Sequence, residues 1–485
     1  MTLSDHLGSL AAAAHIAITA AFAVRALMQR HPPSTTLAWL LLIVGVPYFG
    51  AVLYLLMGER QLGRRRGSHA RALVPLLQDW VRQLPPAMLN QHDRDDRWFS
   101  IRRTAQGAAG LPSTIGNRLD LRSDSSAILL AIADDIRTAQ HTVLMEFYIW
   151  NPGGDADRVA DALIDAAARG VSCRVLLDAV GSAAFFRSPW PAHLRNAGIS
   201  VVETLSVGLL RAAFVRFDLR LHRKIIVIDG VIGWTGSLNL VDPRCFKQDA
   251  GVGEWIDAMA RIEGPAVEML AGIVLWDWCI ETGDAIAKVA PGLANAVGTQ
   301  FEDGAEVQVL PSGPGFEGEG AQRLFLATLY GAREEIVLTT PYFVPDEPLF
   351  LALEAAALRG VRVTVIVPAR IDSILVRHAS RWFFEPLLAA GVRILQFHGG
   401  LLHTKSVTVD GSLALFGTTN LDIRSFRLNF EVTLVVYDPQ FTAALRALQA
   451  RYEREARPVD PHSWARRSTR ARLAEHAAHL ASPLL

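Results

Sequence analysis

The chain is poor in cysteine. Cys173, Cys245 and Cys279 are isolated and odd in number, which excludes a disulfide framework and a C-x-x-C metal site. The pattern is compatible with a reducing compartment. Net charge is lacking too, because 48 lysines and arginines balance 48 aspartates and glutamates. No global field therefore draws the protein to nucleic acid. No H-E-x-x-H zinc motif occurs, and the glycines of residues 310–320 lack the Gly-Lys-Ser/Thr ending of a phosphate loop. That stretch reads as a flexible join. What the chain has in plenty is apolar surface, 51% hydrophobic residues with a mean hydropathy of +0.23. This points to membrane segments, and 485 residues leave room for two or three domains.

Two apolar runs open the chain. Residues 37–57 carry no charge and are long enough to cross a bilayer. Trp39, Tyr48 and Tyr54 are amphipathic aromatics there, and Pro47 is expected to kink the helix. Residues 7–27 form a weaker, Ala-rich run with His15 and Arg25. A signal peptide is the alternative for this run, but its start lacks a positive charge and a second run follows at once. Residues 1–66 are thus expected to hold two transmembrane helices. Arg60, Arg64, Arg65, Arg66 and Arg71 outnumber Arg25 at the end of the first run and Arg30 after it, which places the C-terminal bulk in the cytoplasm. Residues 67–116 read as a polar, Arg-rich linker along the membrane surface.

From residue 117 a β/α pattern occurs twice, over 117–300 and 301–455. In the first copy a helix capped by Ser123 or Ser125 carries a stripe of Ile128, Leu129, Ile132 and Ile136. Strands "HTVLMEFYIW", "VSCRVLLDA" and "ISVVETL" follow, separated by helices ending at Arg169-Gly170 and Ala197-Gly198. The second copy answers with "EEIVLTTPYFV", "VRVTVIVPA" and "VRILQF", and with Arg359-Gly360 and Ala390-Gly391. Val143-Leu144 matches Val337-Leu338, and Tyr148 matches Tyr342. Glycine after each helix is the expected C-cap. The class is α/β: two repeated β/α/β sandwich domains with largely parallel sheets, forming a pseudo-dimer.

Each copy then carries one motif. "LHRKIIVIDGVIGWTGSLNL" contains His222, Lys224 and Asp229, and "LHTKSVTVDGSLALFGTTNL" contains His403, Lys405 and Asp410. Residues two apart on a strand share a face, and Asp229-Gly230 and Asp410-Gly411 read as hairpin turns. Gly236-Ser237-x-Asn239 and Gly417-Thr418-x-Asn420 return alongside. These are the parts that phosphodiester chemistry needs. One imidazole can attack phosphorus and hold it covalently. A second, protonated, can donate to the leaving oxygen. Lysines, with Ser237, Asn239, Thr418 and Asn420, can stabilise the phosphoryl oxygens. One motif supplies half of this set, and two copies across a pseudo-twofold axis supply all of it.

Glu431 of "NFEV" and, by alignment with "EWID", Asp257 are candidates to orient the histidines. The first copy carries a longer segment before this point, "VDPRCFKQDAGVG". A lone H-x-K-x-x-x-x-D would be a strand edge with solvated charges. Two copies with the same continuation inside a repeated frame argue against that reading. A lysine between candidate ligands argues against zinc.

The duplicated motif resembles the phospholipase D superfamily, over about residues 117–438. The closer similarity is to bacterial cardiolipin synthases, whose N-terminal membrane segment is matched by "TTLAWLLLIVGVPYFGAVLYLLMGERQLGRRR" and whose terminus is matched by "SPLL". The resemblance implies an enzyme that joins two phosphatidylglycerol molecules into cardiolipin and releases glycerol, with no metal or other cofactor. It implies His222 and His403 as the catalytic pair, completed by Lys224, Asp229, Lys405 and Asp410, with Asn239 and Asn420 at the phosphate. By analogy with other members His222 is the nucleophile of a phosphatidyl-histidine intermediate. The partners implied are phosphatidylglycerol and the anionic surface of a bacterial inner membrane, and no nucleic acid.

The first rival is a phospholipase D that hydrolyses headgroups to phosphatidic acid with the same residues. A transferase to another headgroup alcohol is the second. Neutral charge and the two apolar runs count against a nuclease, and the intact double motif counts against a scaffold. Two further segments are amphipathic. Residues 205–221 mix Leu209, Leu210, Phe214, Val215 and Phe217 with Arg211, Arg216 and Arg220, which fits an interfacial element or an ordinary packed helix. Residues 456–485, with Trp464, Arg466, Arg467, Arg470 and Arg472, pose the same choice.

Overall fold

The computed structural model describes residues 3–29, 33–58, 62–90, 94–206, 216, 218–286, 300–316 and 319–482. The chain divides into two compact units, one of Met1–His69 with Leu205–Leu219 and one of Ala70–Thr204 with Arg220–Leu485.

The first unit is helical. Helix Leu3–Leu27 contains the first apolar run. The second run is not one helix. It is cut into Pro33–Gly45, Pro47–Leu53 and a π turn over Tyr54–Gly58. Pro47 lacks an N–H, and Val46 leaves helical geometry at φ −134° and ψ 73°, so the ladder breaks there. Among the described residues no helix is long and apolar enough to cross a membrane, which departs from the expectation of two spans. Tyr54 is buried with Ala26 and Ile43 and takes Trp39 and Phe22 edge-on. Ile16, Leu37, Leu41 and Phe49 remain exposed. Of the proposed interfacial element, Leu209, Leu210, Arg211, Phe214, Val215 and Phe217 lie outside the described residues. Arg216 is buried and paired with Asp218 at 2.5 Å, so its charge is already answered by a carboxylate.

The second unit holds both copies of the repeat. The first contributes β1 (Ser113–Arg122), β2 (Thr142–Phe147), β3 (Ser172–Asp178), β4 (Ser200–Thr204), β5 (Lys224–Ile228), β6 (Ile232–Gly236), β7 (Trp255–Ile256) and β8 (Met259–Glu263). The second contributes β9 (Ala305–Ser312), β10 (Glu335–Thr339), β11 (Phe343–Val344), β12 (Arg362–Pro368), β13 (Arg393–Phe397), β14 (Leu401–Leu402), β15 (Ser406–Val409), β16 (Leu413–Gly417), β17 (Leu421–Asp422), β18 (Glu431–Val436) and β19 (Ala456–Pro458). Fifteen of these strands form one sheet in the order β19-β13-β12-β10-β15-β16-β18-β9-β1-β8-β6-β5-β2-β3-β4. The order reads alike outward from the β1/β9 pair, which is antiparallel with Thr114 opposite Val307. That pair marks the pseudo-twofold axis.

The sheet is mixed rather than largely parallel. Within it, among the described residues, only β2/β3/β4 and β10/β12/β13 pair in parallel. Helical crossovers produce those pairs, whereas the three-residue connections that open on Asp-Gly force β5/β6 and β15/β16 to be antiparallel hairpins. Both turn residues have positive φ, 52° and 69° at Asp229-Gly230 and 48° and 66° at Asp410-Gly411, as this hairpin turn requires.

Each copy has its own core. Ile128, Leu129, Ile132 and Ile136 are buried in the first, but the helix is capped by Asp124, which accepts from Ala127 N at 2.7 Å, and not by a serine. The stretch 67–116 is more than a linker. Helix Arg64–Gln83 opens it, and helix Phe99–Ala109 lays Ile101, Ala105 and Ala109 into the second core. That stripe is short and hidden by its arginines. Of the expected flexible join, Leu310–Ser312 belongs to β9. At the C-terminal end helix Thr469–Leu480 packs on helix Ile374–Trp382, with His479 stacked on Trp382 at 3.7 Å and Glu475 bonded to Arg381 at 3.1 Å. The packed alternative for this segment is the observed one. Of "SPLL", only Ser482 is described.

Candidate active site

His222 and His403 each sit just before the first strand of their hairpin and line the same cavity, of about 360 Å³. The chain delivers them there by a crossed arrangement. The backbone N–H of His222 donates to Phe430 O, and that of His403 to Ile256 O, both at 2.9 Å. Each histidine thus docks on the other copy's strand, immediately before its carboxylate. β14 pairs in parallel with β7, and Leu221 bridges Phe430 in the same way.

The carboxylates complete the crossing. His222 Nδ1 lies 2.8 Å from Glu431 Oε2, and His403 Nδ1 lies 2.7 Å from Asp257 Oδ1. Burial would raise both acids, but the histidines and lysines hold them below the usual carboxylate range. Both are therefore ionised, each Nδ1–H donates, and Nε2 is left for the cavity. The Gly-hydroxyl-x-Asn continuation now has a physical reading. A Cβ on Gly236 would lie 2.4 Å from Ala258 O, and one on Gly417 2.3 Å from Val432 O, so only glycine lets the carboxylate strand come this close. The Thr418 hydroxyl donates to Glu431 Oε2 at 2.6 Å and accepts from Val432 N at 2.9 Å. The Ser237 hydroxyl accepts from Ala258 N at 3.0 Å and helps hold Asp257 low. Ser237 and Thr418 therefore support carboxylates rather than face a phosphate. Asn239 accepts from Ile149 N at 3.2 Å, while its Nδ2 is buried at the cavity wall without a partner among the described residues. Asn420 lines the same wall, and its Oδ1 has no partner among the described residues.

Lys224 and Lys405 are buried beneath the histidines. Each ammonium donates to the carbonyl of its own histidine, at 2.7 Å and 2.6 Å. Burial lowers Lys224 to about 8 and Lys405 well below its ordinary value. Burial, with the lysine charges, also lowers both His222 and His403 to about 4, against the pull of their carboxylates. That direction favours the neutral form of both imidazoles at pH 7.

Asp229 and Asp410, grouped in sequence with the catalytic set, are not at the cavity. They lie at the far end of their strands, roughly 15 Å along the chain from the lysines. Asp229 accepts from the backbone N–H groups of Gln140, His141 and Thr142, at 2.7–2.8 Å. Asp410 accepts from those of Arg333, Glu334 and Glu335, also at 2.7–2.8 Å. Each pins its hairpin turn to the start of the neighbouring antiparallel strand, β2 or β10. The motif's acidic end is a structural clamp because the strand carries it away from the histidine.

Other cavity residues escaped the sequence. Tyr148 packs edge-on to His222 at 5.0 Å, and Trp255 packs on His403 at 4.3 Å. The match of Tyr148 with Tyr342, which also lines the cavity, and the place of Trp255 two residues before Asp257 were the available signals. Arg220, Arg424, Lys247 and Asp422 also line the wall. Burial raises Asp422 to about 6, although its side chain caps helix Ile423–Arg427.

The family model described as "Cardiolipin synthase, PLD-like domain" matches residues 132–252 and 325–452, one stretch per copy. A second, "Phospholipase_D-nuclease N-terminal", matches residues 17–59. Cardiolipin synthase A of Erwinia tasmaniensis is 48% identical over 472 residues, covering 96% of each chain. That of Shigella dysenteriae is 47% identical with the same coverage. Among solved structures, the phosphatidylserine synthase of Haemophilus influenzae matches with a TM-score of 0.58 at 15% identity, over 79% of this chain and 100% of that one, which shows a shared fold. With both motifs intact in a paired site and similarity along nearly its whole length, the chain belongs to the cardiolipin synthases of the phospholipase D superfamily.

Proposed function

We propose that the protein transfers a phosphatidyl group between two phosphatidylglycerol molecules, giving cardiolipin and glycerol. The observation that carries this reading is the pair of imidazoles, each held by a carboxylate of the other copy, in one cavity. His222 Nε2 attacks the phosphorus of the first lipid, forming the P–N bond as the P–O bond to glycerol breaks. His403 gives its proton to that glycerol oxygen. It then takes the proton of a hydroxyl on the second lipid. That oxygen attacks phosphorus, the P–N bond breaks, and cardiolipin leaves.

Charge balance supports the acid. Around the two imidazoles, the buried Lys224 and Lys405 face the carboxylates of Glu431 and Asp257. A bound phosphodiester adds one negative charge, which favours taking up one proton on a histidine. Binding thus arms His403 while Glu431 keeps the proton on Nδ1 of His222. The Asn239 Nδ2 and Asn420 amides are placed to meet phosphoryl oxygens, and the lysine charges lie beneath.

The exposed apolar side chains of the first unit support a membrane tether, for which helix Leu3–Leu27 and the broken helix after it are the segments. The excess of arginines after them favours a cytoplasmic catalytic unit in a bacterial inner membrane. Purified protein in detergent micelles, given phosphatidylglycerol as the only phospholipid and a chelator, tests the function. Cardiolipin and free glycerol are expected, and both are lost in His222→Ala and His403→Ala. Phosphatidic acid without cardiolipin would make water the acceptor and overturn the reading. An adduct trapped on His222→Ala would reverse the roles of the histidines.

A further inference from the structure

The transfer needs a second lipid whose own phosphate lies close to the reacting hydroxyl, so a second anion must be held near the acid histidine. We propose that Lys247 binds the phosphate of this acceptor lipid. The inference rests on the transferase reading of the cavity.

Of the 48 lysines and arginines in the chain, only Lys224, Lys247, Lys288 and Lys405 are lysines. Lys288 lies outside the described residues. The other three all border the histidine site: two beneath it, and Lys247 in the cavity wall. A chain that uses arginine for nearly every cation keeps lysine where a compact, mobile point charge serves and a planar fork does not.

Lys247 sits in the segment 241–253, which is longer than its counterpart in the second copy, where Arg427 takes the matching place in D-I-R-S-F-R. The segment is packed, since Val241, Phe246 and Val252 form a small core with Trp255 and Leu401. It also reaches the second copy, where Arg370 donates to Gly251 O at 3.4 Å and Lys247 Nζ meets Asp372 at 3.3 Å. Lys247 itself has φ +48°, a left-handed conformation that a lysine rarely takes, and such positions gather at functional sites. Its ammonium lies 5.4 Å from the Trp255 ring centroid and 5.6 Å from that of Phe246. The Trp255 ring in turn packs on His403 at 4.3 Å. One indole therefore separates the acid from the cation. In the acceptor, one three-carbon glycerol separates the attacking hydroxyl from the phosphate.

The surroundings suit a lipid. Val344 and Val376 line the cavity. Just beyond Asp372, Ile374 is 70% and Leu375 44% exposed, an apolar edge for acyl chains. Asp372 is the unfavourable neighbour for an anion. It also accepts from the Tyr342 hydroxyl at 2.9 Å. Its pair with Lys247 is half-exposed on the lysine side and correspondingly weak, so it holds the ammonium in place when no phosphate is bound.

The test compares two acceptors on the full chain in phosphatidylglycerol micelles. Cardiolipin formation uses an anionic acceptor, whereas exchange of labelled glycerol into phosphatidylglycerol uses a neutral one. Lys247→Gln is expected to lower the ratio of cardiolipin formation to glycerol exchange about tenfold, and Lys247→Arg, which keeps the charge, to restore much of it. An unchanged ratio, whether the two rates stay or fall together, overturns the subsite while leaving the transferase reading intact. Absence of glycerol exchange in the wild type would overturn that reading, and the subsite with it.

Discussion

Glu431, in the second copy of the repeat, holds Nδ1 of His222, in the first, at 2.8 Å, and Asp257 of the first copy holds His403 of the second at 2.7 Å. Neither copy contains a complete histidine-carboxylate pair of its own. The repeat is therefore obligate, and a single copy would present an unsupported imidazole.

The crossed pairing assigns each acid to a step. Glu431→Gln removes the ionised partner of the nucleophile, so it should slow adduct formation by about a hundredfold or more. Asp257→Asn should act on the steps that use His403 and let more adduct accumulate relative to turnover. Rapid-quench trapping of the phosphatidyl-enzyme measures both. If Glu431→Gln impaired only the His403 steps, the crossed assignment would be wrong.

Asp229→Ala and Asp410→Ala should behave as stability variants. Each removes a carboxylate that accepts three backbone N–H groups, a loss of about 1–3 kcal/mol. The melting temperature is expected to fall by several degrees. Specific activity per folded molecule should stay within about twofold of wild type. Activity lost without loss of stability would return these residues to the chemistry.

Gly417→Ala should damage both. Its Cβ would lie 2.3 Å from Val432 O, so β18 must move and carry Glu431 away from His222. A cost of about 1–3 kcal/mol is expected from the overpacking, together with slower adduct formation. Calorimetry alongside the trapping assay checks whether the two losses occur together.

The histidines should titrate low in the empty site and higher when it is filled. Both are lowered from 6.5 to about 4 by burial. Imidazole NMR signals should therefore report neutral rings at pH 6, and inorganic phosphate should raise the midpoints. The sign for stability follows from linkage. A histidine lowered in this way contributes stability that is present above pH 6.5 and lost as pH falls through 4. The stability of His222→Gln relative to wild type should rise over that window, by roughly 3 kcal/mol. A difference that stays flat between pH 7 and 4 would contradict the burial argument.

Much of the site was legible because it is written locally. H-x-K spacing, Asp-Gly turns and the stripe of Ile128, Leu129, Ile132 and Ile136 depend on neighbours a few residues away. Two copies made the motif stand out from chance. The third motif position misled for the same reason: Asp229 lies close to His222 in sequence, but an extended strand separates them in space. The break at Val46-Pro47 was anticipated as a kink and is a full interruption, because the residue before proline also leaves helical geometry.

By itself the sequence determined the reactive groups, the repeat and the hairpins that carry the histidines, since strand periodicity and turn chemistry are short-range. Only the tertiary structure decided which carboxylate serves which histidine. Glu431 and His222 are 209 residues apart, and no spacing rule spans that distance. They meet because the two half-sheets join antiparallel at β1 and β9, which brings each copy's last strands across the axis to the other copy's motif.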